Sequence, residues 1–259
     1  MARALVTGAG KRLGRAMAIE LARQGFDIAV HYHSSQSEAE DVADEIRALG
    51  RTAVTLQADL LVEDLVTPLI SDAANALGGP MTVLVNSASI FEHDTVASAT
   101  RGSWDRHFES NLRAPFVLTQ ALAAQVPDPM NDENGEPLAQ GLVVNMIDQR
   151  VRKLTPEFMS YTLAKMGLWA FTQTAAQALA PRVRVNGIGP GPTLRAARQS
   201  EEHFAAQRAA TVLERGSNTS DITGALSYFL NAPSVTGQLL CIDGGQHLCW
   251  QTPDVIGVE

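Results

Sequence analysis

The chain has 259 residues, of which 45% are hydrophobic, and it carries a formal net charge of −8. This length and composition suit one α/β domain with a large core, and the acidic balance argues against a nucleic-acid-binding protein, which is more often basic. The first residues run into glycines without the apolar region of a signal peptide, and no apolar run reaches the roughly 18 residues of a membrane span. We therefore expect a cytoplasmic protein with neither a nucleic acid nor a membrane as partner.

Short apolar runs typical of strands alternate with longer amphipathic runs typical of helices. Strands are predicted at 4–7, 27–32, 52–57, 82–86, 141–147, 183–188 and 238–242, and helices at 13–24, 36–49, 62–77, 103–125, 157–180 and 219–230. This alternation predicts one domain over residues 1–259, with a Rossmann-like, doubly wound parallel sheet of about seven strands and helices on both faces. The segment 127–137, rich in proline and acidic residues, is expected to be a surface loop.

A glycine-rich segment, Thr7-Gly8-Ala9-Gly10-Lys11-Arg12-Leu13-Gly14, follows the first predicted strand and opens the first helix. Glycines at such a turn let the backbone approach a pyrophosphate, which binds the free N–H groups of the helix N-terminus. The third glycine comes one residue later than in the G-x-G-x-x-G pattern. The location after the first strand nevertheless predicts a dinucleotide site that includes Gly8, Lys11, Arg12 and Leu13.

The end of the second strand indicates which nucleotide binds. An acid there usually binds the ribose 2′-hydroxyl of NAD, but this chain reads His31-Tyr32-His33-Ser34-Ser35 and has its first acid at Glu38. Hydrogen-bond donors on this segment, together with the nearby charges of Lys11 and Arg12, suit a 2′-phosphate. We expect NADPH/NADP+ as cofactor, bound partly by His31, His33, Ser34 and Ser35; the alternative is a polar strand end with no phosphate role.

Asp59 and Leu60 follow the third predicted strand. The carboxylate of Asp59 either accepts a hydrogen bond from the adenine amino group or caps the next helix. Both alternatives stay open at this point.

Tyr161 and Lys165 lie four residues apart in a predicted helix, so their side chains share one face. A tyrosine with an ordinary pKa near 10 is a poor acid at neutral pH, and we expect the nearby ammonium group to lower that pKa. Asp148 directly follows the fifth predicted strand and is expected beside them. The three residues predict acid–base catalysis.

These motifs resemble the short-chain dehydrogenase/reductase family over essentially the whole chain. Further matches are Asn86-Ser87-Ala88, Asn111, Pro190-Gly191 and Asp243-Gly244-Gly245. The resemblance implies that Asn111 holds a water that relays protons to Lys165, and that Lys165 and Tyr161 also contact the cofactor. It places Asn86, Ser87, Ala88, Pro190, Gly191 and Thr193 at the cofactor.

The resemblance also implies a homotetramer and a mobile lid over residues 194–217. The C-terminal tail, residues 246–259, contains Trp250 and is expected either to contact a neighbouring subunit or to be disordered. Cys241 and Cys249 are expected to be reduced thiols, and no metal site is expected.

Two residues depart from the usual family pattern: Arg12 stands where glycine is usual, and Asp148 stands where serine is usual. Together with His31-Tyr32-His33 and Asn145-Met146-Ile147-Asp148, they resemble the pteridine reductases within the family. This resemblance implies NADPH-dependent reduction of a C=N bond in biopterin or dihydrobiopterin, with dihydromonapterin and dihydrofolate as further candidates, and Tyr161 as proton donor.

The same resemblance assigns the substrate contacts. Phe91 would stack on the pterin, Ser89 would bond its polar edge, and Arg12 would reach both substrate and pyrophosphate; Phe91 is otherwise a core residue. A carboxylate at Asp148 suits the amidine-like edge of a pterin and would repel the oxyanion formed from a ketone. A carbonyl or 3-oxoacyl reductase and a non-catalytic NADP-binding sensor remain the alternatives.

Overall fold

A computed structural model describes residues 2–196 and 199–252 of the chain. Its strands are β1 (Arg3–Val6), β2 (Asp27–Tyr32), β3 (Ala53–Gln57), β4 (Val83–Asn86), β5 (Met130–Asn131), β6 (Pro137–Leu138), β7 (Gly141–Met146), β8 (Val183–Pro190) and β9 (Leu239–Ile242). Seven of these strands form one parallel sheet in the order β3-β2-β1-β4-β7-β8-β9. The seven-stranded parallel sheet predicted from the sequence is confirmed.

The helices cover both faces of this sheet. They are α1 (Arg12–Arg23), α2 (Gln36–Ala48), α3 (Glu63–Val66), α4 (Leu69–Leu77), α5 (Arg101–Phe108), α6 (Ala114–Gln125), α7 (Met159–Leu179), α8 (Glu201–Ala209) and α9 (Thr219–Asn231). Alternate residues of a strand point to opposite faces, so Val6 joins a core with Met17 and Phe229, while Leu5 joins a second core with Leu118. The sheet is therefore buried on both sides, as a doubly wound fold requires.

Three predicted segments differ in detail from the structure. The helix predicted at 62–77 is two helices, because Pro68 cannot continue the hydrogen-bonded ladder of α3. The helix predicted at 103–125 begins at Arg101 and contains a π-helical turn, Glu109–Arg113, between α5 and α6. The loop predicted at 127–137 contains the short antiparallel pair β5 and β6.

The topology fixes where a ligand can bind. Strand β1 pairs with β2 on one side and with β4 on the other, so the chain order reverses there and leaves a crevice at the carboxyl ends of the strands. Among the described residues, no helix is long and apolar enough to cross a membrane. The same part of the chain contains no group of three or more histidine, cysteine or acidic side chains arranged to hold a metal ion.

Candidate active site

A cleft of about 590 Å³ lies at this crevice. The predicted site residues that line it are Gly8, Lys11, Arg12, Leu13, His31, His33, Ser34, Ser35, Asp59, Leu60, Ser87, Ala88, Ser89, Phe91, Asp148, Tyr161, Lys165, Pro190, Gly191 and Thr193. Lining residues that the sequence reasoning did not select for the site are Gly14, Tyr32, Leu61, Ile90, Arg106, Ser110, Met146, Ile147 and Leu194. Most of these are direct neighbours of a selected residue at a strand end, which is the signal that identifies them.

The glycine turn packs too closely for side chains. Gly8 has a left-handed φ of 62°, and a Cβ added there would lie 3.0 Å from the Cα of Ala88. A Cβ on Gly14 would lie 2.2 Å from the carbonyl oxygen of Gly8, well inside van der Waals contact. The hydroxyl of Thr7 accepts hydrogen bonds from the backbone N–H groups of Ser87 and Ala88 at 2.9 and 3.0 Å, which joins the turn to the end of β4. The first helix therefore begins at a cradle of bare backbone, as a pyrophosphate site requires.

His31 holds this turn in place through its two ring nitrogens. Its Nδ1 accepts a hydrogen bond from the N–H of Gly8 at 3.0 Å, and its Nε2 donates to the carbonyl oxygen of Ala58 at 3.1 Å. Burial lowers the pKa of the imidazole from 6.5 to about 4, so the ring is neutral at physiological pH. Both ring nitrogens are bonded to backbone groups, and His31 therefore fixes the ends of three strands relative to one another.

The cations at the nucleotide end already have partners. The ammonium group of Lys11 lies 2.6 Å from the carboxylate of Glu38. The guanidinium of Arg12 donates to the carbonyl oxygens of Arg195 and Leu194, at 2.9 Å each. The backbone of Arg12 has a left-handed φ of 53°, a conformation that glycine adopts freely and that costs other residues about 1 kcal/mol or more. This conformation explains why glycine is usual in the family at this position.

His33 and Asp59 face each other at the edge of the cleft. The Nε2 of His33 lies 3.7 Å from one carboxylate oxygen of Asp59, and the other oxygen accepts a hydrogen bond from the N–H of Leu61 at 3.0 Å. The bond to Leu61 closes a turn before α3, but the N-cap of that helix is Val62 and no side chain caps it, so the capping alternative for Asp59 is wrong. The oxygen that faces His33 lies beside the cleft, so the adenine contact stays a prediction.

Asp148 and Tyr161 form a direct pair. The phenol of Tyr161 donates to one oxygen of Asp148 at 2.8 Å, and the other oxygen accepts from the N–H of Arg150 at 2.8 Å. Lys165 is buried and donates to the carbonyl oxygen of Met146 at 2.7 Å. Strand β7 and helix α7 thus bring the three residues together at the cleft, where the sequence predicted them.

The protonation states of these three groups follow from burial. Burial raises the pKa of Tyr161 well above its ordinary value of 10, and the negative charge and hydrogen bond of Asp148 raise it further. Burial also raises the pKa of Asp148, against the hydrogen bonds from Arg150 and Tyr161. It lowers the pKa of Lys165 from 10.5 to about 8, with Asp148 acting in the opposite direction.

The prediction that Lys165 lowers the pKa of Tyr161 is wrong, because burial and Asp148 raise that pKa. The ammonium nitrogen lies 5.7 Å from the centre of the tyrosine ring and bonds to Met146 instead of the phenol. The phenol donates a hydrogen bond to the carboxylate of Asp148, and this bond stabilises the neutral phenol over the phenolate. Tyr161 therefore keeps its phenolic proton at neutral pH.

Phe91 lies at the mouth of the cleft with 37% of its surface exposed, so the core alternative for this residue is wrong. Its ring stacks on Phe158 at 4.4 Å between centroids and meets the ring of Tyr161 at 4.6 Å with a tilt of 58°. Ser89, also in the cleft wall, lies near the phenol and favours a lower pKa for Tyr161, while its hydroxyl donates to the carbonyl oxygen of Ile90 at 3.4 Å. An aromatic face and a polar edge therefore flank the phenol.

Two predicted residues do not line the cleft. The amide of Asn111 accepts from the N–H of Ile90 at 2.9 Å and donates to the carbonyl oxygen of the same residue at 2.8 Å. The amide of Asn86 donates to Asn145 at 2.8 Å in the buried interior. Asn111 thus holds the backbone of Ile90 in the cleft wall, and Asn86 bonds to the side chain of Asn145; the water-relay role of Asn111 and the cofactor contact of Asn86 stay predictions.

The segment predicted to form a lid is anchored at both ends. Thr193 is buried, and its hydroxyl lies 2.5 Å from that of Ser217. Arg208, on the lid helix α8, donates to the carbonyl oxygens of Pro192 and Ser217 at 2.9 and 2.6 Å, which clasps the two ends together. Residues 197 and 198 of the predicted lid and 253–259 of the predicted tail lie outside the described residues.

The remaining predictions concern the C-terminal region. Cys241 and Cys249 are free thiols, and burial raises the pKa of Cys241 to about 11. Trp250 is 63% exposed, and contact with a neighbouring subunit stays a prediction.

Comparison with known proteins agrees with this geometry. Residues 2–205 match the short chain dehydrogenase family. The chain belongs to that family. It is 33% identical to an uncharacterised oxidoreductase of Mycobacterium tuberculosis, over 93% of this chain and 90% of that protein. It is 28% identical to the 3-oxoacyl-[acyl-carrier-protein] reductase of Staphylococcus epidermidis, over 95% and 98% of the two chains.

Among solved structures, the FolM alternative dihydrofolate reductase 1 of Brucella suis, in complex with NADP, is 42% identical to this short chain dehydrogenase. The alignment covers 98% of each chain with a TM-score of 0.91. The chain is thus an oxidoreductase of the short chain dehydrogenase family, and its relatives include both an alternative dihydrofolate reductase and a 3-oxoacyl-[acyl-carrier-protein] reductase.

Proposed function

We propose that this short chain dehydrogenase is an NADPH-dependent reductase of pteridines, acting on biopterin, dihydrobiopterin or a related dihydropterin or dihydrofolate. The observation that carries the proposal is the 2.8 Å hydrogen bond between Tyr161 and Asp148. A carboxylate at this position pairs the proton donor with a group that accepts hydrogen bonds from the amino group and ring N–H of a pterin. The 42% identity to the Brucella suis protein supports the same substrate class.

The cleft fits the cofactor. The turn at Gly8 and Gly14 is closed to any side chain and presents bare backbone to a pyrophosphate. Lys11, His33, Ser34 and Ser35 line the end of the cleft where a 2′-phosphate would lie, and they supply positive charge and donors. Bound NADPH supplies the hydride.

The residues of the chain manage the proton. Tyr161 holds it, because burial and Asp148 keep the phenol neutral at physiological pH. As hydride adds to the carbon of the C=N bond, the phenol O–H bond breaks and the proton passes to the ring nitrogen. The phenolate then regains a proton from solvent, and the carboxylate of Asp148 again accepts the hydrogen bond of the restored phenol. The ammonium group of Lys165, 5.7 Å from the centre of the tyrosine ring, attracts the phenolate once it has formed, but it does not outweigh burial and Asp148 in setting the pKa of the phenol.

The same pair disfavours a ketone as substrate. Reduction of a carbonyl develops negative charge on oxygen, which a serine hydroxyl stabilises and an ionised carboxylate repels. A pterin differs in that its amino group and ring N–H can donate hydrogen bonds to such a carboxylate. The identity of 28% to a 3-oxoacyl reductase keeps ketone reduction as the second candidate.

One assay separates the candidates. NADPH oxidation is followed by absorbance with biopterin, dihydrobiopterin, dihydromonapterin, dihydrofolate and a 3-oxoacyl thioester, for wild type and Asp148→Ser. We expect pterin turnover in the wild type and a loss of about 100-fold or more in Asp148→Ser, within the range for removal of an acid–base group. Turnover of the thioester alone, retained or improved in Asp148→Ser, would overturn the proposal.

A sensor without turnover is tested by Tyr161→Phe. We expect this variant to lose NADPH oxidation and to keep the wild-type affinity for NADPH, since the change removes one hydroxyl. Wild-type protein that binds NADPH and oxidises it with none of the substrates would favour the sensor. The proposal extends to a homotetramer, which light scattering of the purified protein tests.

A further inference from the structure

A buried polar network lies directly behind Tyr161 and takes no part in the proton transfer described above. It consists of His107 on α5, Ser160 on α7 and Asp94 in the loop after β4, and these side chains are 0%, 0% and 2% exposed. The Nδ1 of His107 lies 2.7 Å from the hydroxyl of Ser160, and that hydroxyl hydrogen-bonds to Asp94. Three separate segments of the chain therefore meet at one serine hydroxyl.

The direction of each hydrogen bond follows from the backbone. The N–H of Glu92 donates to the Nε2 of His107 at 3.1 Å, so the proton of the neutral imidazole lies on Nδ1. The Nδ1–H of His107 therefore donates to the hydroxyl of Ser160, and this hydroxyl donates to the carboxylate of Asp94. Burial raises the pKa of Asp94, but hydrogen bonds from the hydroxyl and N–H of Ser160 and from Ser103 outweigh it and hold that pKa below its usual value.

This order rules out a nucleophilic role for the serine. In a hydrolytic triad the histidine accepts the serine proton and the carboxylate bonds to the histidine. Here the histidine donates to Ser160, and the carboxylate of Asp94 accepts from the serine itself. Ser160 has no exposed surface for an incoming substrate.

The network is bonded to the segments that carry the proton donor and the stacking ring. Asp94 accepts three hydrogen bonds from the start of α7: its carboxylate bonds to the hydroxyl and the N–H of Ser160, and its carbonyl oxygen bonds to the N–H of Met159 at 3.2 Å. Tyr161 is the next residue, and its ring meets the edge of His107 at 5.9 Å. Phe91 lies directly before Glu92, whose N–H is bonded to His107.

The start of α7 needs such an anchor. Phe158, the residue before the helix, has a left-handed φ of 58°, which a non-glycine residue adopts at a cost of about 1 kcal/mol or more. Without a bond to hold the first turn, the helix start would relax towards an ordinary conformation and carry Tyr161 with it.

We propose that Ser160 is a positioning residue for Tyr161, and that the network of His107, Ser160 and Asp94 fixes the phenol against Phe91 and the substrate. The proposal rests on the proposed function only in that Tyr161 donates the proton. A displacement of about 1 Å at a reacting group can cost about 100-fold in rate. Loss of the Ser160 hydroxyl is therefore expected to slow proton transfer and to leave cofactor binding unchanged.

Ser160→Ala is compared with Ser103→Ala, which removes a hydrogen bond to the same carboxylate from a residue outside α7. The substrate is whichever compound of the panel the wild type reduces. We expect Ser160→Ala to lower kcat about 10- to 100-fold, to raise the solvent deuterium isotope effect on kcat, and to keep the wild-type Kd for NADPH. Ser103→Ala should keep the wild-type kcat and isotope effect, even where its melting temperature falls.

A second pair of variants tests the network even if Ser160→Ala does not fold. His107→Gln keeps one donor and one acceptor and is expected to retain most of kcat, whereas His107→Leu removes both and should behave like Ser160→Ala. An unchanged isotope effect in Ser160→Ala, or equal losses in His107→Gln and His107→Leu, would overturn the proposal. Turnover of a ketone instead of a pterin would refute the pteridine assignment and leave this comparison intact.

Amide hydrogen exchange gives a measure that needs no substrate. Faster exchange over residues 89–94 and 159–165 in Ser160→Ala than in Ser103→Ala supports the network as the anchor of Tyr161. Equal exchange in the two variants overturns it.

Discussion

Replacing His31 by glutamine tests the brace beneath the glycine turn. In the folded chain the pKa of His31 is about 4, against 6.5 for the unperturbed group. Between about pH 6.5 and pH 4 the imidazole is protonated in the unfolded chain but neutral in the folded chain. The contribution of His31 to the free energy of unfolding is therefore fully present above about pH 6.5 and is lost as the pH falls towards 4. The difference corresponds to about 3 kcal/mol in total, of which about 2 kcal/mol is lost by pH 5.

The assay is urea unfolding at pH 8 and pH 5, at fixed protein concentration, for wild type and His31→Gln. Glutamine offers a donor and an acceptor to the backbone groups that His31 bonds, but it does not titrate. We expect the free energy of unfolding to fall by about 2 kcal/mol more in the wild type than in the variant between these pH values. Equal losses in the two proteins would refute a neutral, buried His31 as the cause.

The remaining predictions concern the cofactor cradle and the buried lysine. Gly14→Ala puts a methyl group 2.2 Å from the carbonyl oxygen of Gly8, so NADPH affinity measured by fluorescence titration should fall at least about tenfold. The matched control is Gly224→Ala, in exposed space on α9. This control should raise the free energy of unfolding by up to about 1 kcal/mol without changing the affinity for NADPH. The pKa of Lys165 is about 8, so kcat should fall as the pH rises through about 8 and the ammonium group loses its proton. A flat rate between about pH 7 and pH 9.5 would contradict that role.

The sequence was sufficient for the parts of the site that depend on local pattern. Tyr161 and Lys165 share a helix face because they are four residues apart, and Asp148 directly follows the neighbouring strand, so periodicity alone brings them to one edge. Pro68 was also a visible signal for the break in the helix predicted at 62–77. The resemblance to a family supplied the lid and the substrate contacts, which no periodicity contains.

The parts that the sequence could not provide depend on long-range contacts between single atoms. The sequence shows only that His31 can form hydrogen bonds. The folded sheet brings the N–H of Gly8 and the carbonyl oxygen of Ala58 to its two ring nitrogens. Asp94 and Ser160 are 66 residues apart, and no spacing rule links them. The high pKa of Tyr161 likewise depends on burial and on which atom its proton faces.

The hydrogen bonds of Arg12 have a consequence for how ligand and lid influence each other. Both terminal nitrogens of the guanidinium donate to the lid, at Leu194 and Arg195. An anion that draws the guanidinium towards the glycine turn competes with those carbonyl oxygens for the same donors. If an anion binds at the glycine turn, its binding and the attachment of residues 194 and 195 are linked equilibria, and each weakens the other by the same free energy. The guanidinium of Arg12 thus couples the binding of an anion at the glycine turn to the attachment of residues 194 and 195.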